Sequence, residues 1–320
     1  MALVIQKEGI LNSIQDLGRF GYRRAGINPS GAMDTAAVRI LNVLVGNQED
    51  EAVIELHFPA GQMRLEEPAV FAIGGADLAP HLNGIPIDRW KTAVANLGDV
   101  LDFRKKANGN RAYLTVAGGF QIPEWLGSKC TNLAAAAGGF KGRRLVKGDR
   151  IEFARPLDES SSFSSVRAGN SLIPSYDDRP TIRITAGGEF DELSETTNET
   201  LFTESFAISP ASNRMGYRLE GKPLHLNGQS GILSSAVCAG TMQLLPDGQI
   251  IVLMADHQTS GGYPRLAHVV QRDLPLLAQL GPGDELQFQL IDIAEAEQLE
   301  IAFERELNLL RIGRRLSVGS

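Results

Sequence analysis

The chain has 320 residues, of which 43% are hydrophobic and 22% are charged, the profile of a globular protein long enough for two domains. A net charge of −7 with only short basic clusters argues against nucleic-acid binding, because an acidic surface repels a phosphate backbone. No apolar run approaches the roughly 20 residues that span a bilayer, so we expect no membrane association. Two cysteines without metal or disulfide spacing favour a reducing, cytoplasmic location, and 34 glycines with 15 prolines favour short strands and turns.

The N-terminal part of the chain begins with a predicted strand and continues into a glycine-rich polar segment. Gln15, Asp16 and Arg19 lie close together there, so carboxylate and guanidinium either pair with each other or share an anionic or amide-bearing ligand. Asp34 precedes a run of apolar residues at helical spacing, which predicts that it caps a helix ending near Gly46.

An apolar strand at Val70–Ile73 leads to Asp77, and this strand-then-acid pattern returns near Asp256. Further similarities follow in the same order in both halves, which start with strands at Val4 and Ile184 and include Gly-Asp turns at Gly98 and Gly283, each leading into a strand. We interpret them as a diverged internal duplication, with an extra β segment at 111–153 in the first half. The duplication predicts that the halves superpose strand for strand.

The second half contains the segment with the most functional groups. After a linker rich in serine and proline comes a polar loop with Arg214, and then a short apolar strand ending in Asp256-His257-Gln258-Thr259-Ser260-Gly261-Gly262-Tyr263-Pro264. Polar groups beside two glycines indicate a binding site, because glycine lets another molecule approach the backbone. The alternative is a solvated hairpin loop. An amphipathic pattern at Ile293–Leu310 predicts a C-terminal helix.

Several kinds of chemistry are absent from the sequence. It has no P-loop, no dinucleotide-binding fingerprint, no nucleophile elbow and no metal-ligand spacing among its five histidines, so we expect no metal. The remaining acid, amide, hydroxyl and arginine groups suit a small amide, urea-like or carboxylate molecule. Asp16, Asp77 or Asp256 acts as a general base only if burial raises its pKa from about 4.

Six motifs, in order along nearly the whole chain, resemble the biotin-dependent carboxyltransferase family, also called allophanate hydrolase subunit 2. The family includes the C subunit of 5-oxoprolinase and a Kip-type antagonist of a kinase inhibitor. The motifs begin at Gln15, Ser30, Gly75, Ala117, Arg214 and Asp256, and they read QDLGRFGY, SGAMD, GADL, AGGF, RMGYRLEG and DHQTSGGYP.

The resemblance implies a mainly β protein with two cyclophilin-like β-barrel domains, short helices and a C-terminal helix. We therefore expect a first barrel with its extra β segment at 1–155, a linker at 156–180, a second barrel at 181–292, and a helix and tail at 293–320.

The resemblance also implies a function, that of one component of an ATP-dependent 5-oxoprolinase that opens the lactam 5-oxoproline to glutamate. The partners would be the subunit 1 protein (the B subunit, a Kip-type inhibitor) and a third subunit. The chain has neither a biotin-attachment motif nor an ATP-binding region, so any ATP would bind a partner and biotin is not attached here. Two alternatives are carboxyl transfer from carboxybiotin to urea or a related amide, and a non-catalytic module that binds the subunit 1 protein.

The site expected for this function draws on both halves of the chain. Asp16 and Asp256 are the candidate catalytic groups. The candidate substrate-binding residues are Gln15, Arg19, Asp34, Asp77, Arg214, Gln258, Thr259 and Tyr263.

Overall fold

A computed structural model describes residues 2–155, 165–228 and 233–318 of the chain. These residues form two compact units. Unit 1 takes its residues from 1–19, 30–175 and 303–320, and unit 2 from 20–29 and 176–302. This division differs from the predicted boundaries, because 20–29 groups with unit 2 and the end of the chain groups with unit 1. Part of the predicted linker, 156–164, lies outside the described residues, and 165–175 belongs to unit 1.

Unit 1 contains two antiparallel sheets around one hydrophobic core. The strands are β1 (Ala2–Lys7), β2 (Ser13–Gln15), β3 (Val53–His57), β4 (Gln62–Leu65), β5 (Ala69–Asp77), β6 (Pro80–Leu82), β7 (Ile85–Pro86), β8 (Thr92–Ala95), β9 (Val100–Phe103), β10 (Asn108–Val116) and β11 (Arg150–Glu152). One sheet has the order β11-β1-β4-β9-β6-β7 and the other β2-β3-β10-β5-β8. Leu3 and Ile5 of the first sheet share a buried cluster with Ile54 and Phe71 of the second.

Helix α1 (Thr35–Val45) packs on β5 and β10 and covers the outer face of the second sheet. These two strands are therefore enclosed on both faces, which explains why β5 is an almost unbroken apolar run instead of an alternating one. Asp34 caps the helix as predicted, since its Oδ1 accepts a hydrogen bond from the Ala37 amide at 2.9 Å. Gly46 ends the helix with a φ of 84°, a conformation that favours glycine.

Unit 2 contains a closed seven-stranded barrel. Its strands are β12 (Thr181–Ala186), β13 (Phe206–Ile208), β14 (Gly216–Glu220), β16 (Thr241–Leu244), β17 (Ile250–Leu253), β19 (Arg265–Val269) and β20 (Glu285–Leu290), and a separate ribbon pairs β15 (Ser235–Ala236) with β18 (Ser260–Gly261). The barrel order is β12-β19-β16-β17-β14-β13-β20. Alternate residues point inward, as in β20, where Leu286 and Phe288 are buried. Helices α2 (Glu195–Thr203) and α3 (Leu274–Gln279) also belong to this unit.

The prediction of a mainly β fold with few helices is confirmed, but the strand pairing is not repeated from unit to unit. The duplication equates β1 with β12 and β9 with β20. In unit 2 these strands pair directly and in parallel, from Thr181 opposite Gln287 to Ile184 opposite Leu290. In unit 1, β4 lies between β1 and β9. Strand-for-strand equivalence of the halves is therefore wrong for this pair, because unit 1 inserts a strand where unit 2 closes its barrel.

The predicted C-terminal helix is α4 (Ile293–Val318). Its second half belongs to unit 1, where Phe303 and Leu307 are buried. The Arg39 guanidinium lies 5.2 Å from the centroid of the Phe303 ring and forms an ion pair of 2.7 Å with Glu304. Among the described residues, no helix combines the length and apolar character required to cross a bilayer.

Candidate functional site

The loop that follows β17 in unit 2 holds a buried ion pair. The Asp256 carboxylate accepts hydrogen bonds from Arg214 Nε at 2.8 Å and from Arg214 Nη2 at 3.2 Å. The Asp256 amide in turn donates to the Arg214 carbonyl at 2.8 Å, so backbone and side chain fix the same pair. Both side chains are largely buried, at 10% exposure for Arg214 and 14% for Asp256. The two predicted site residues are thus brought together, and Asp256 is held next to a permanent positive charge.

Two further groups fix the backbone around Asp256. Asn28, from the 20–29 segment of unit 2, donates its side-chain amide to the Asp256 carbonyl at 2.8 Å. His257 is 2% exposed, and its Nδ1 lies 2.5 Å from the Gln258 carbonyl. Burial lowers the pKa of His257, so its imidazole is neutral at pH 7. Hydrogen bonds therefore fix the beginning of this loop, whereas Ser260, Gly262 and Tyr263 near its end are exposed.

Gln243 contacts the same loop, and sequence reasoning missed it as a candidate. It lies in β16, is 1% exposed, and its Oε1 accepts from Gln258 Nε2 at 3.4 Å. Its Nε2 lies 3.5 Å from the Tyr263 carbonyl. A Cβ on Gly261 would lie 2.5 Å from that nitrogen, so a side chain at this position would force the Gln243 amide to shift. Thr241 and Gln243, polar residues at alternate positions of an apolar strand, were the signal that could have identified it.

The other predicted residues of this loop have different surroundings. The Thr259 carbonyl accepts from the Val237 amide at 3.3 Å, which ties the loop to the β15 side of the two-stranded ribbon. Tyr263 is 44% exposed, so its ring faces solvent. Unit 2 thus gathers Arg214, Asp256, Gln258, Thr259 and Tyr263 around a single loop.

In unit 1, Asp16 is held by a segment that the sequence did not single out for a role. Its carboxylate accepts from the Gly18 amide at 2.7 Å, from Ser128 Oγ at 2.8 Å and from the Lys129 amide at 2.5 Å. Cys130 follows in the same segment, and burial raises its pKa to about 11. Asp16 therefore orders the 128–130 segment, whatever its part in catalysis.

Arg19 and Gln15 contact the same segment but keep polar atoms without partners. Arg19 is 1% exposed, its Nη2 donates to the Cys130 carbonyl at 2.7 Å, and its guanidinium lies 4.5 Å from the centroid of a Trp125 ring. Gln15 Nε2 donates to Ser13 Oγ at 3.0 Å and to the Thr131 carbonyl at 3.4 Å. Within the described chain, Arg19 Nε, Arg19 Nη1 and Gln15 Oε1 are buried and have no hydrogen-bond partner.

Asp34 belongs to a buried hydrogen-bond network in addition to capping α1. Its amide donates to the Tyr113 hydroxyl, which donates to Glu55 Oε2, each at 2.9 Å. Burial, followed by the Glu55 charge, raises the pKa of Tyr113, so that it stays protonated. Glu55 lies between apolar residues of β3. Its carboxylate is buried and has hydrogen-bond partners, which offset the cost of burying a charge.

Asp77 ends β5, where it forms an ion pair of 3.3 Å with Arg89 and accepts from the Ala79 amide at 2.9 Å. It lines a cavity of about 500 Å³ that also includes His81 and Trp90. In the part of the chain that the structure describes, no group of three or more His, Cys, Asp or Glu residues could hold a metal ion. The roles of all these residues in catalysis and substrate binding stay predictions.

Comparison with known proteins relates this geometry to a family. The model of the carboxyltransferase domain, subdomains A and B, matches residues 25–290. The chain is 35% identical to the C subunit of 5-oxoprolinase from Haemophilus influenzae over 93% of this chain and 94% of that protein, and 34% identical to its Escherichia coli namesake over 92% and 93%. The structure of the K. lactis urea amidolyase superposes with a TM-score of 0.90 at 29% identity, over 97% of this chain and 20% of that chain.

The family match covers most of the chain, and the two bacterial relatives align with it over nearly their whole length. Five of the six motifs, from the one that begins at Ser30 to the one that begins at Asp256, lie within the residues that the family model matches. The chain belongs to the carboxyltransferase-domain family, which includes the C subunit of 5-oxoprolinase and is also called allophanate hydrolase subunit 2.

Proposed function

We propose that this chain is the C subunit of an ATP-dependent 5-oxoprolinase, which hydrolyses the lactam 5-oxoproline to glutamate together with partner subunits. The observation that carries the proposal is the match over nearly the whole chain with the two bacterial proteins of that name, at 35% and 34% identity. The match leaves only a few per cent of either relative unaligned, so the chain corresponds to nearly all of that component.

The local geometry is consistent with a lactam substrate. Unit 2 holds the Gln243 and Gln258 side-chain amides, which bond to each other and are of the kind that can both donate to and accept from an amide ligand. The same loop carries the Arg214–Asp256 pair. Unit 1 holds buried polar atoms of Gln15 and Arg19 that have no hydrogen-bond partner among the described residues. ATP would bind a partner, biotin is not attached to this chain, and the partners are the subunit 1 protein and a third subunit. The lone thiols Cys130 and Cys238 suit the cytoplasm.

A second candidate is carboxyl transfer from carboxybiotin to urea or a related amide. The observation that favours it is the TM-score of 0.90 with the urea amidolyase, although the chain corresponds to only 20% of that protein. A third candidate is a non-catalytic module that binds the subunit 1 protein. All three require the same fold, so an activity measurement is needed to separate them.

Reconstitution tests the proposal directly. The chain is mixed with the subunit 1 protein and the third subunit, and ATP-dependent release of glutamate from 5-oxoproline is measured with this chain present and omitted. We expect release only in the complete mixture. Release that continues at the same rate without this chain would favour the binding-module alternative, and carboxylation of urea by a biotin carboxylase partner would favour the second candidate.

The Asp256→Asn variant tests the site in unit 2. Asparagine keeps the size of the side chain but removes the charge that Arg214 faces, so we expect glutamate release to fall by at least about tenfold, the effect of losing one charge-assisted hydrogen bond. Asp247→Asn is the matched control, because Asp247 is an exposed turn residue of the same unit. Full activity of Asp256→Asn would remove this residue from the site.

A further inference from the structure

Arg19 is a buried cation for which the described residues supply no counter-ion at contact distance. One of its three side-chain nitrogens donates to a backbone carbonyl, and the other two, Nε and Nη1, have no hydrogen-bond partner there. The face of the guanidinium lies 4.5 Å from a Trp125 ring. A ring stabilises a cation but leaves the in-plane N–H groups unsatisfied.

Burying such a group is unfavourable unless it is paired. A lysine in this position could release its proton, but the guanidinium keeps its charge at every accessible pH. A buried arginine that persists with unsatisfied donors therefore indicates that another group satisfies them in the functional state. That group has to be an acceptor, and a negatively charged acceptor offsets the burial of the charge best.

Asp16 is the acidic residue nearest to Arg19 in the chain, and it is already engaged. Both of its oxygens accept hydrogen bonds from Ser128 Oγ, and each also accepts from a backbone amide. The negative charge of Asp16 raises the pKa of Cys130 and the positive charge of Arg19 lowers it. The electrostatic effects of the two charges on this thiol therefore partly cancel. This cancellation does not provide hydrogen bonds to Arg19 Nε and Nη1, which point in the plane of the guanidinium.

We infer that Arg19 binds the carboxylate of an anionic substrate, and that Gln15 accepts a hydrogen bond from an N–H group of the same molecule. A guanidinium grips a carboxylate in bidentate fashion through two N–H groups on one edge, which belong to Nη2 and to either Nε or Nη1, as Arg214 does with Nε and Nη2. Arg19 Nη2 has a second N–H besides the one that it donates to the Cys130 carbonyl. Arg19 and Gln15 contact the consecutive carbonyls of Cys130 and Thr131, and both leave a buried polar atom without a partner among the described residues. This inference rests on the proposed function: 5-oxoproline carries a carboxylate and a lactam N–H, whereas urea carries no charge.

The first experiment compares ligands that differ only in these groups. Binding of 5-oxoproline, of 2-pyrrolidinone, which is the same lactam without the carboxylate, and of cyclopentanecarboxylate is measured by calorimetry with the full chain alone and with the chain mixed with its partners. We expect 5-oxoproline to bind about tenfold to a hundredfold more tightly than 2-pyrrolidinone, as for one or two charge-assisted hydrogen bonds. Equal affinities, or no binding of any of the three in either state, would overturn the inference.

The second experiment assigns the discrimination to Arg19. In Arg19→Gln the preference for 5-oxoproline over 2-pyrrolidinone should collapse to near unity, and Arg19→Lys should keep part of it because the charge remains. A purely structural role would weaken both ligands equally and leave the ratio unchanged. Arg104→Gln is the matched control, since that arginine is exposed in the same unit. Thermal unfolding shows whether each variant is folded, and the ligand series on the unaltered chain decides the question if Arg19→Gln is not.

The two proposals fail in different ways. If the reconstituted complex releases no glutamate but the chain prefers anionic lactams through Arg19, the proposed function is wrong and the carboxylate site stands. If the complex is active and the preference is absent or independent of Arg19, the proposed function stands and the carboxylate site is wrong.

Discussion

The two cysteines differ in exposure and in pKa, two properties that control thiol reactivity. Cys238 is exposed, and a hydrogen bond with His268 lowers its pKa against the opposing effect of partial burial. Thr241 Oγ1 lies 3.4 Å from both Cys238 Sγ and His268 Nδ1, so the three side chains form one group. Cys130 is buried, and its pKa is raised to about 11. A lower pKa means more thiolate at neutral pH, and the thiolate is the reactive form.

We therefore predict that iodoacetamide modifies Cys238 selectively at pH 7. Cys238→Ser should abolish the fast reaction, and Cys130→Ser should leave it unchanged, as followed by mass spectrometry over time. His268→Ala should slow the reaction at pH 7 and have little effect at pH 10, where the thiol is ionised without help. Equal labelling of the two cysteines in the folded chain would contradict this prediction.

At the same scale, the sequence predicted hydrogen-bond partners that are near in the chain and missed those that are far away. The Asp34 cap follows from residues three positions apart. The pairing of Asp256 with Arg214, 42 positions earlier, and of Asp16 with Ser128, 112 positions later, depends on the arrangement of strands. The Gln243 amide occupies the space that a Gly261 side chain would fill, and this proximity is not visible in the sequence.

Among the elements, α4 has a buried and an exposed side in the part that belongs to unit 1. Leu307 is 0% exposed and Leu309, two positions later, is 57% exposed. Residues two positions apart on a helix point to different sides. Replacing each leucine in turn therefore separates the contribution of the buried side of α4 from that of the exposed side.

We predict that Leu307→Ala lowers the free energy of unfolding by about 2–4 kcal/mol, because it removes a buried side chain and leaves a cavity. Leu309→Ala, the matched control, should change it by less than about 0.5 kcal/mol. Urea denaturation followed by circular dichroism measures both. Similar values for the two variants would mean that this half of α4 does not pack on unit 1.

Element by element, the sequence predicted the capped helix α1, the C-terminal helix and the strands leading to Asp77 and Asp256. Those elements carry strong local patterns, such as helical periodicity or an apolar run between turns. The place of each strand in its sheet was not predictable in the same way. The insertion of β4 between β1 and β9 depends on which edges meet, and hydrophobic patterning does not encode this.

At the scale of the whole molecule, each unit has an acidic side chain whose pKa is below its usual value. In unit 2, hydrogen bonds from the Arg265 side chain lower the pKa of Glu189, and burial opposes them. In unit 1, burial alone would raise the pKa of Asp149, but hydrogen bonds from Arg143 and from the Val146 amide lower it overall. A carboxyl group with a lowered pKa stabilises the fold above its unfolded-state pKa, near 4, and loses this contribution as the pH falls through the folded-state value.

We predict that the free energy of unfolding falls slightly as the pH drops below about 6.5, where His257 gains a proton more readily in the unfolded chain, and falls further below about pH 4. Glu189→Gln should destabilise the chain at pH 7 by at most about 1 kcal/mol, because the pair is partly open to solvent. The difference from the unaltered chain should shrink as the pH falls through the lowered pKa of Glu189 in the folded chain, because protonation then removes the charge from the unaltered chain as well. Denaturant unfolding across this pH range measures the effect, and a difference that grows on acidification would contradict it.

Unit 1 takes residues from both ends of the described chain, whereas unit 2 is complete by residue 302. A ribosome synthesises the chain from the N-terminus, so the barrel emerges whole while the earlier sheets still lack Phe303 and Leu307, the side chains of α4 that finish their unit. The portion translated first is therefore the last to become complete. Premature termination shortly before residue 303 would leave a polypeptide with a complete barrel in unit 2 and an incomplete unit 1. Such a product would be a substrate for chaperones and proteases.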